Sequence, residues 1–311
     1  MTSASQAPVI IAHRGACGYL PEHSLAAKAL AFGLGADYLE QDVIISRDGA
    51  LLILHDLWLD EVSDVAQRFP GRNRPDGRHY CIDFDLDEIR SLQFGERTDP
   101  ATGKEKFPGR FTRAAGSFRV VTLDEEIRFI QGLNASTGRT VGIYPEIKMP
   151  QWHAEQGIDL ATLVLDRLES YGYLEQGSRI YLQCFDADTL RTVRRRAGPA
   201  LPLIQLLSSR TMPDAALLGE IAGYANGIGP SLKLIWRGIR ADGRYDLTNL
   251  VDEAHARGLE VHPYTFRVDE LPDGCTDFDE LLRLFISDLG IDGLFTDFTD
   301  RAARVIQARP Q

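Results

Sequence analysis

The chain carries a short apolar run, Val9-Ile10-Ile11-Ala12, that stops abruptly at His13-Arg14-Gly15. A β-branched run closed by polar residues reads as a buried strand delivering those residues at its C-terminal end. Ser24 to Leu34 follows with apolar residues at helical spacing and Gly33 and Gly35 at its close, completing one βα unit. The next strand, Tyr38 to Ser46, turns at Arg47-Asp48-Gly49-Ala50 and returns through Leu51 to Asp56. An Asp-Gly pair between apolar runs is a strong hairpin signal. From Leu57 to Phe118 the periodicity lapses into Arg, Asp, Gly and Pro, with one helix-like stretch at Leu86 to Leu92. A structureless loop of that length is foreign to a compact domain, so 57–118 is expected to be a folded, cap-like insertion in a single domain.

Alternation then resumes. Helical spacing marks Leu123 to Gly132, Asp159 to Tyr171, Asp188 to Arg196, Pro213 to Tyr224, Leu247 to Arg257, Phe278 to Leu289 and Arg301 to Ala308. Between these lie strand-like runs at Val141 to Lys148, Ile180 to Phe185, Pro202 to Leu207, Gly227 to Gly229, Glu260 to Phe266 and Gly293 to Phe298. Eight strands, nearly all followed by a helix, predict an α/β fold of the (β/α)8 TIM-barrel class. A doubly wound sheet would more often carry a glycine-rich phosphate loop after its first strand, where this chain has His-Arg-Gly-Ala-Cys-Gly.

Composition narrows the function. Lysine and arginine number 34 against 45 aspartates and glutamates, a net charge of −11, which argues against nucleic acid as a partner. No stretch approaches the roughly 18 apolar residues of a membrane span. The start, Met-Thr-Ser-Ala-Ser-Gln-Ala-Pro, lacks the basic and apolar regions of an export signal, so a cytoplasmic location is expected, with a periplasmic one as the alternative should the native N-terminus be missing. Cys17, Cys81, Cys184 and Cys275 are dispersed with no CxxC pair and read as unpaired thiols, a disulfide staying open.

Catalytic groups in a barrel sit at the C-terminal ends of strands. Here the first strand ends in His13-Arg14, and the second carries Glu40 and Asp42, whose i, i+2 spacing puts both carboxylates on one face. His55-Asp56 closes the hairpin, and Glu146 with Lys148, again i, i+2, precedes Gln183. Burying so many ionisable groups is costly unless they pair or bind a metal. Glu40, Asp42 and Glu146 are oxygen donors suited to one hard divalent cation, Ca²⁺ or Mg²⁺. Arg14 and Lys148 suit an anionic group, and His13 and His55 can exchange protons near neutral pH.

These motifs, with Pro21-Glu22-His23-Ser24, Tyr38-Leu39-Glu40-Gln41-Asp42-Val43, Pro145-Glu146-Ile147-Lys148, Leu182-Gln183-Cys184-Phe185-Asp186, Val261-His262-Pro263-Tyr264-Thr265-Phe266 and Asp292-Gly293-Leu294-Phe295-Thr296-Asp297, resemble the glycerophosphodiester phosphodiesterases over essentially the whole chain. The resemblance implies a TIM barrel with an insertion after the second strand region. It also implies cation ligation at Glu40, Asp42 and Glu146, an acid–base pair at His13 and His55, and phosphate binding at Arg14 and Lys148. Glu22 matches the acidic residue of the family's Pro-Glu-Asn-Thr motif, often counted in the site and here Pro-Glu-His-Ser, so the resemblance adds Glu22 to the expected substrate-binding residues. The insertion looks closest to the branch typified by periplasmic, calcium-dependent enzymes, from which the missing signal peptide departs.

The implied reaction is metal-dependent hydrolysis of a small glycerophosphodiester, for example glycerophosphocholine or glycerophosphoethanolamine, to sn-glycerol 3-phosphate and an alcohol. Gln183, Tyr264 and Phe266, at later strand ends, are expected to line the substrate pocket. Alternatives on the same residues are lysophospholipase D-type or cyclising chemistry on lysolipids, or a catalytically silent binding barrel. Cys17 reads as a bystander, and His79, His153 and His262 as structural or surface residues. Arg194-Arg195-Arg196 reads as a solvated helix end.

Overall fold

A computed structural model describes residues 7–308. Eleven strands are present among them: β1 (Val9–Ala12), β2 (Tyr38–Ile45), β3 (Leu51–Ile53), β4 (Gly142–Ile147), β5 (Leu182–Cys184), β6 (Leu203–Leu207), β7 (Gly227–Pro230), β8 (Trp236–Ile239), β9 (Tyr245–Leu247), β10 (Glu260–Val261) and β11 (Gly293–Thr296). Eight of them run parallel in the order β10-β7-β6-β5-β4-β2-β1-β11, and β3 pairs antiparallel with β2. The chain after β10 meets β11 through Asp292 N to Val261 O (3.1 Å), Phe295 N to Pro263 O (3.1 Å) and Phe266 N to Phe295 O (2.8 Å), which closes the barrel. The molecule is the (β/α)8 barrel that the alternation predicts.

The helices are α1 (Leu25–Gly33), α2 (Val65–Arg68), α3 (Leu86–Arg90), α4 (Leu123–Thr137), α5 (Pro150–Glu155), α6 (Leu160–Ser170), α7 (Ala187–Ala197), α8 (Ala215–Ala222), α9 (Leu250–His255), α10 (Phe278–Arg283) and α11 (Thr299–Gln307). Local chemistry sets their ends. Ser24 caps α1, its hydroxyl accepting from the Ala27 amide, and Thr122 with Glu125 forms a capping box on α4. That helix runs five residues past its predicted end to a left-handed Gly138. Where Leu247 is expected to open a helix, it instead pairs with Trp236 in the β8–β9 hairpin, and α9 starts at Leu250. The predicted strand at Glu260 to Phe266 keeps regular pairing only to Val261.

The two-residue period of the strands sorts the interior. Leu39, Val43, Ile143 and Ile147 face the helices in the large apolar core, while Ile11, Tyr38, Tyr144, Ile204 and Phe295 plug the lumen. Moving two residues along each strand from that plug reaches His13, Glu40 and Glu146, so the mouth is polar above an aromatic floor. Residues 57–118 carry α2 and α3 and pack Leu59, Val65, Phe84 and Ile89 against Ile44 and Leu52 of the hairpin. No described helix is long and apolar enough to cross a membrane. The reading of the N-terminal stretch as lacking an export signal falls on residues of which 1–6 lie outside those described. All four cysteines are free.

Candidate active site

The barrel mouth holds a cavity of about 670 Å³ whose walls include His13, Arg14, Glu40, Asp42, His55, Glu146, Lys148, Gln183 and Tyr264, and a smaller one of about 210 Å³ adjoins it at Arg14, His55, Asp56 and Arg97. The strand register brings them together: Asp42 lies opposite Glu146, and Glu146 opposite Gln183. The first βα turn is built for close approach. Arg14 has φ of 57°, and Gly15, at 91°, lies so near α1 that a Cβ there would stand 2.8 Å from the backbone carbon of Ala27. That turn aims the Arg14 backbone amide at Glu40 Oε2 (2.6 Å) and its guanidinium at Glu22 (3.0 Å) and Asp42 (3.3 Å).

Lys148 donates to Glu146 (2.9 Å) and reaches Asp42 (3.3 Å). Burial, reinforced by neighbouring Asp42, pushes Glu40 well above the ordinary carboxylate range. Burial likewise lifts Glu146 to about 7, against the pull of Lys148. Burial opposes the ionisation of Asp42 too, but Lys148, the hydrogen bond from His23 and Arg14 hold it well below its usual value. Arg14 and Lys148 therefore do not suffice to keep all three carboxylates ionised, and the donors are all hard oxygens, so these residues fit a divalent cation. His23, Glu40 and Asp42 have ligand atoms within 4.8 Å of one another. His23 nevertheless does not line the cavity; it is buried with Nε2 on Asp42 (2.9 Å) and acts as that carboxylate's holder.

Both histidines are backed by carboxylates. His13 Nδ1 donates to Asp297 (2.7 Å) and His55 Nδ1 to Asp56 (2.7 Å), the only direction a carboxylate partner allows, which leaves each Nε2 as the free ring nitrogen. Burial and the nearby Arg14 lower His13 to about 4 and His55 to about 3, so both are neutral at pH 7 in the free protein. Asp297 also accepts from Arg110 (2.8 Å) and Arg267 (2.7 Å). Arg97 grips Glu22 (2.6 Å), Glu61 (2.6 Å) and Asp56.

Two expected pocket residues sit elsewhere. Phe266 is fully buried in the apolar core with its ring against Phe285, because regular pairing ends at Val261 and the two-residue period no longer carries it into the lumen. Glu22 does not line the cavity but bridges Arg14 to Arg97. Gln183 Oε1 is buried without a partner, while the Tyr264 hydroxyl donates to Leu207 O (2.9 Å) and its ring lies edge-on to Phe185. Asp56, Asp297, Arg97, Arg110 and Arg267 were not expected in the site. Asp56 follows His55 and Asp297 ends the last strand, signals within reach of sequence, whereas the arginines carry none. Cys17 is buried with its thiol pushed up by burial. His262 is buried against the Tyr144 hydroxyl (2.9 Å), and His79 and His153 are buried as well. Arg195 and Arg196 are exposed at the end of α7 as expected, while Arg194 is tied to the carbonyls of Tyr224, Gly198 and Leu201.

A parallel barrel whose mouth joins paired histidines, an acidic cluster and the cations Arg14 and Lys148 is suited to phosphoric diester hydrolysis in the TIM-barrel class. A model of the Glycerophosphoryl diester phosphodiesterase family matches residues 13–301. The chain is 40% identical to a glycerophosphodiester phosphodiesterase of Haemophilus influenzae over 96% of its own length and 90% of the relative's. A Treponema pallidum enzyme of the same name is 33% identical, over 96% and 91%. Among solved structures, an Oleispira antarctica phosphodiesterase in complex with the product sn-glycerol-3-phosphate superimposes with a TM-score of 0.68 at 20% identity, covering 97% of this chain and 98% of that one. The chain belongs to the glycerophosphoryl diester phosphodiesterase family and is an enzyme.

Proposed function

We propose that the enzyme hydrolyses small glycerophosphodiesters, such as glycerophosphocholine and glycerophosphoethanolamine, to sn-glycerol 3-phosphate and an alcohol, with Glu40, Asp42 and Glu146 holding one Ca²⁺ or Mg²⁺. The carrying observation is that two carboxylate-backed imidazoles line the same cavity as an acidic cluster and the cations Arg14 and Lys148 beside it. The relatives' names and the product complex of the Oleispira antarctica enzyme support the substrate class. We also infer that 57–118 serves as a cap on one barrel domain.

The bound cation would supply charge neutralisation at the phosphoryl oxygens. Arg14 and Lys148 bind and orient the phosphodiester anion. Anion binding cancels the positive charge of Arg14, one cause of the low affinity of both histidines for protons, and so lets one of them carry a proton. One histidine takes a proton at Nε2 from the attacking water as its oxygen bonds to phosphorus. The bond from phosphorus to the leaving alcohol breaks, and the other histidine returns a proton to that alkoxide oxygen. Gln183 and Tyr264 contact the organic part of the substrate.

The test is turnover of glycerophosphocholine with Ca²⁺, Mg²⁺ or EDTA, followed by ³¹P NMR. Glycerol 3-phosphate that disappears with EDTA is the expected result, and His13→Ala or His55→Ala should each cut turnover by about 10²-fold or more. A cyclic phosphate product, EDTA-insensitive turnover or near-normal histidine variants would each refute the corresponding part.

A further inference from the structure

Each catalytic histidine is backed by a carboxylate, and each carboxylate is gripped by an arginine of the insertion. Arg97 reaches Asp56, which holds His55; Arg110 reaches Asp297 (2.8 Å), which holds His13. Both guanidinium side chains are only 5% exposed, although they come from the polar, turn-rich segment that sequence reading treats as peripheral. We propose that Arg97 and Arg110 are positioning residues, through which the insertion sets the orientation of the two imidazoles. The proposal rests on the acid–base reading of His13 and His55.

Neither side chain lines the main cavity, so neither is a substrate contact there. Their contacts are otherwise unequal. Arg97 forks: one end meets Asp56 and Glu61 (2.6 Å), and the other meets Glu22 (2.6 Å), which in turn holds the Arg14 guanidinium (3.0 Å). Losing Arg97 would loosen both a histidine and the phosphate-binding arginine. Arg110 bonds twice to Asp269 (2.7 and 2.9 Å), once to Asp297 and once to Cys17 O (3.2 Å), with its guanidinium 3.9 Å from the Phe107 ring centre. It has no link to Arg14, and Arg267 shares its grip on Asp297 (2.7 Å). An arrangement that holds reacting groups to within tenths of an ångström is sensitive to such supports, since a displacement near 1 Å can cost about 10²-fold in rate.

The experiment is steady-state kinetics on glycerophosphocholine with saturating cation. It uses R97M, R97K, R110M, D56N, D297N and the doubles R97M/D56N and R110M/D297N, with thermal melts to establish folding. R97M should lower kcat by about 10²-fold and raise KM, whereas R110M should lower kcat about 10-fold with KM within about twofold. R97K should recover part of the kcat. In the D56N background R97M should lower kcat by less than about threefold further while still raising KM, because its effect on kcat runs through Asp56 and its effect on KM through Glu22 and Arg14; R110M in D297N should likewise add less than about threefold in kcat. Should R97M fail to fold, R97K carries the same cycle. Folded arginine variants with kcat within twofold of wild type, alongside inactive H13A and H55A, would overturn the proposal while leaving the acid–base reading intact. So would doubles whose losses multiply in full. Active H13A and H55A would instead remove that reading, and this proposal with it.

Discussion

Behind the carboxylate strand lies an ion pair from which the site borrows its rigidity. Lys28 on α1 and Glu126 on α4 are wholly excluded from solvent, with Nζ 2.8 Å from Oε1. The same ammonium donates to the Glu40 carbonyl, and Gln41 donates to Glu126 (2.7 Å) while accepting from the Tyr144 amide (3.0 Å). Glu126→Leu strips the ammonium of its counter-charge and leaves it the Glu40 carbonyl. Removing one member of a buried pair typically costs about 3–5 kcal/mol, far more than the pair itself contributes. Lys28→Met should cost a similar amount, since Glu126 would keep Gln41 as a donor but no cation, and its Oε2 already has no partner.

Replacing both by apolar groups removes both desolvated charges, so K28M/E126L should lie within about 1 kcal/mol of wild type or exceed it. Urea denaturation of the four proteins at pH 7 reads these differences directly from the midpoints at constant slope. A double variant as unstable as the sum of the singles would show that each side chain acts alone. Single variants costing less than about 1 kcal/mol would show that water reaches the pair, contrary to its burial.

Two further outcomes follow from groups away from the cation cluster or from its backbone support. His262, buried against Tyr144, is lowered by burial from 6.5 to about 4. Above pH 6.5 it is neutral folded or unfolded and contributes no pH dependence; as pH falls from 6.5 to 4 only the unfolded chain takes the proton, so stability drops by roughly 3 kcal/mol across that window. His262→Gln should remove this slope in urea midpoints measured from pH 7 to 4.5, and an unchanged slope would assign it elsewhere. Gly15→Ala should destabilise by about 1–3 kcal/mol from backbone strain alone, with the clash against Ala27 added, and should depress kcat/KM by displacing Arg14. A melting temperature and kcat/KM equal to wild type would show that the first turn tolerates a side chain.

Most of the barrel was readable because its signals are local. Apolar strand runs, the helical spacing from Ser24 and from Leu123, and the Asp-Gly turn each depend on a few neighbouring residues. The i, i+2 pairs were readable for the same reason: Glu40 with Asp42, and Glu146 with Lys148, are fixed to one face by strand geometry. That rule failed at Phe266, where strand pairing lapses after Val261 and parity with it. Lys28 was hidden differently, since a lysine at an apolar helical position is marked as buried only by the glutamate 98 positions away that meets it.

The insertion shows where local reading ends and why charge must be counted in place. Its arginines look like surface residues of a turn-rich segment, yet Arg97 and Arg110 are among the least exposed cations at the mouth. They are buried because Glu22, Asp56, Glu61, Asp269 and Asp297 surround them. Together with Glu40, Asp42 and Glu146, these carboxylates outnumber Arg14, Lys148, Arg97, Arg110 and Arg267. A chain of net charge −11 would repel a phosphodiester if that charge acted as a whole, but beyond roughly 10 Å ordinary salt screens it. What the substrate meets is the local balance. Arg97 and Arg110 are engaged by the carboxylates that hold the histidines, so the cations facing the cavity are others, with Arg14 and Lys148 directly beside the acidic cluster and Lys233, Arg237 and Arg267 further along its wall.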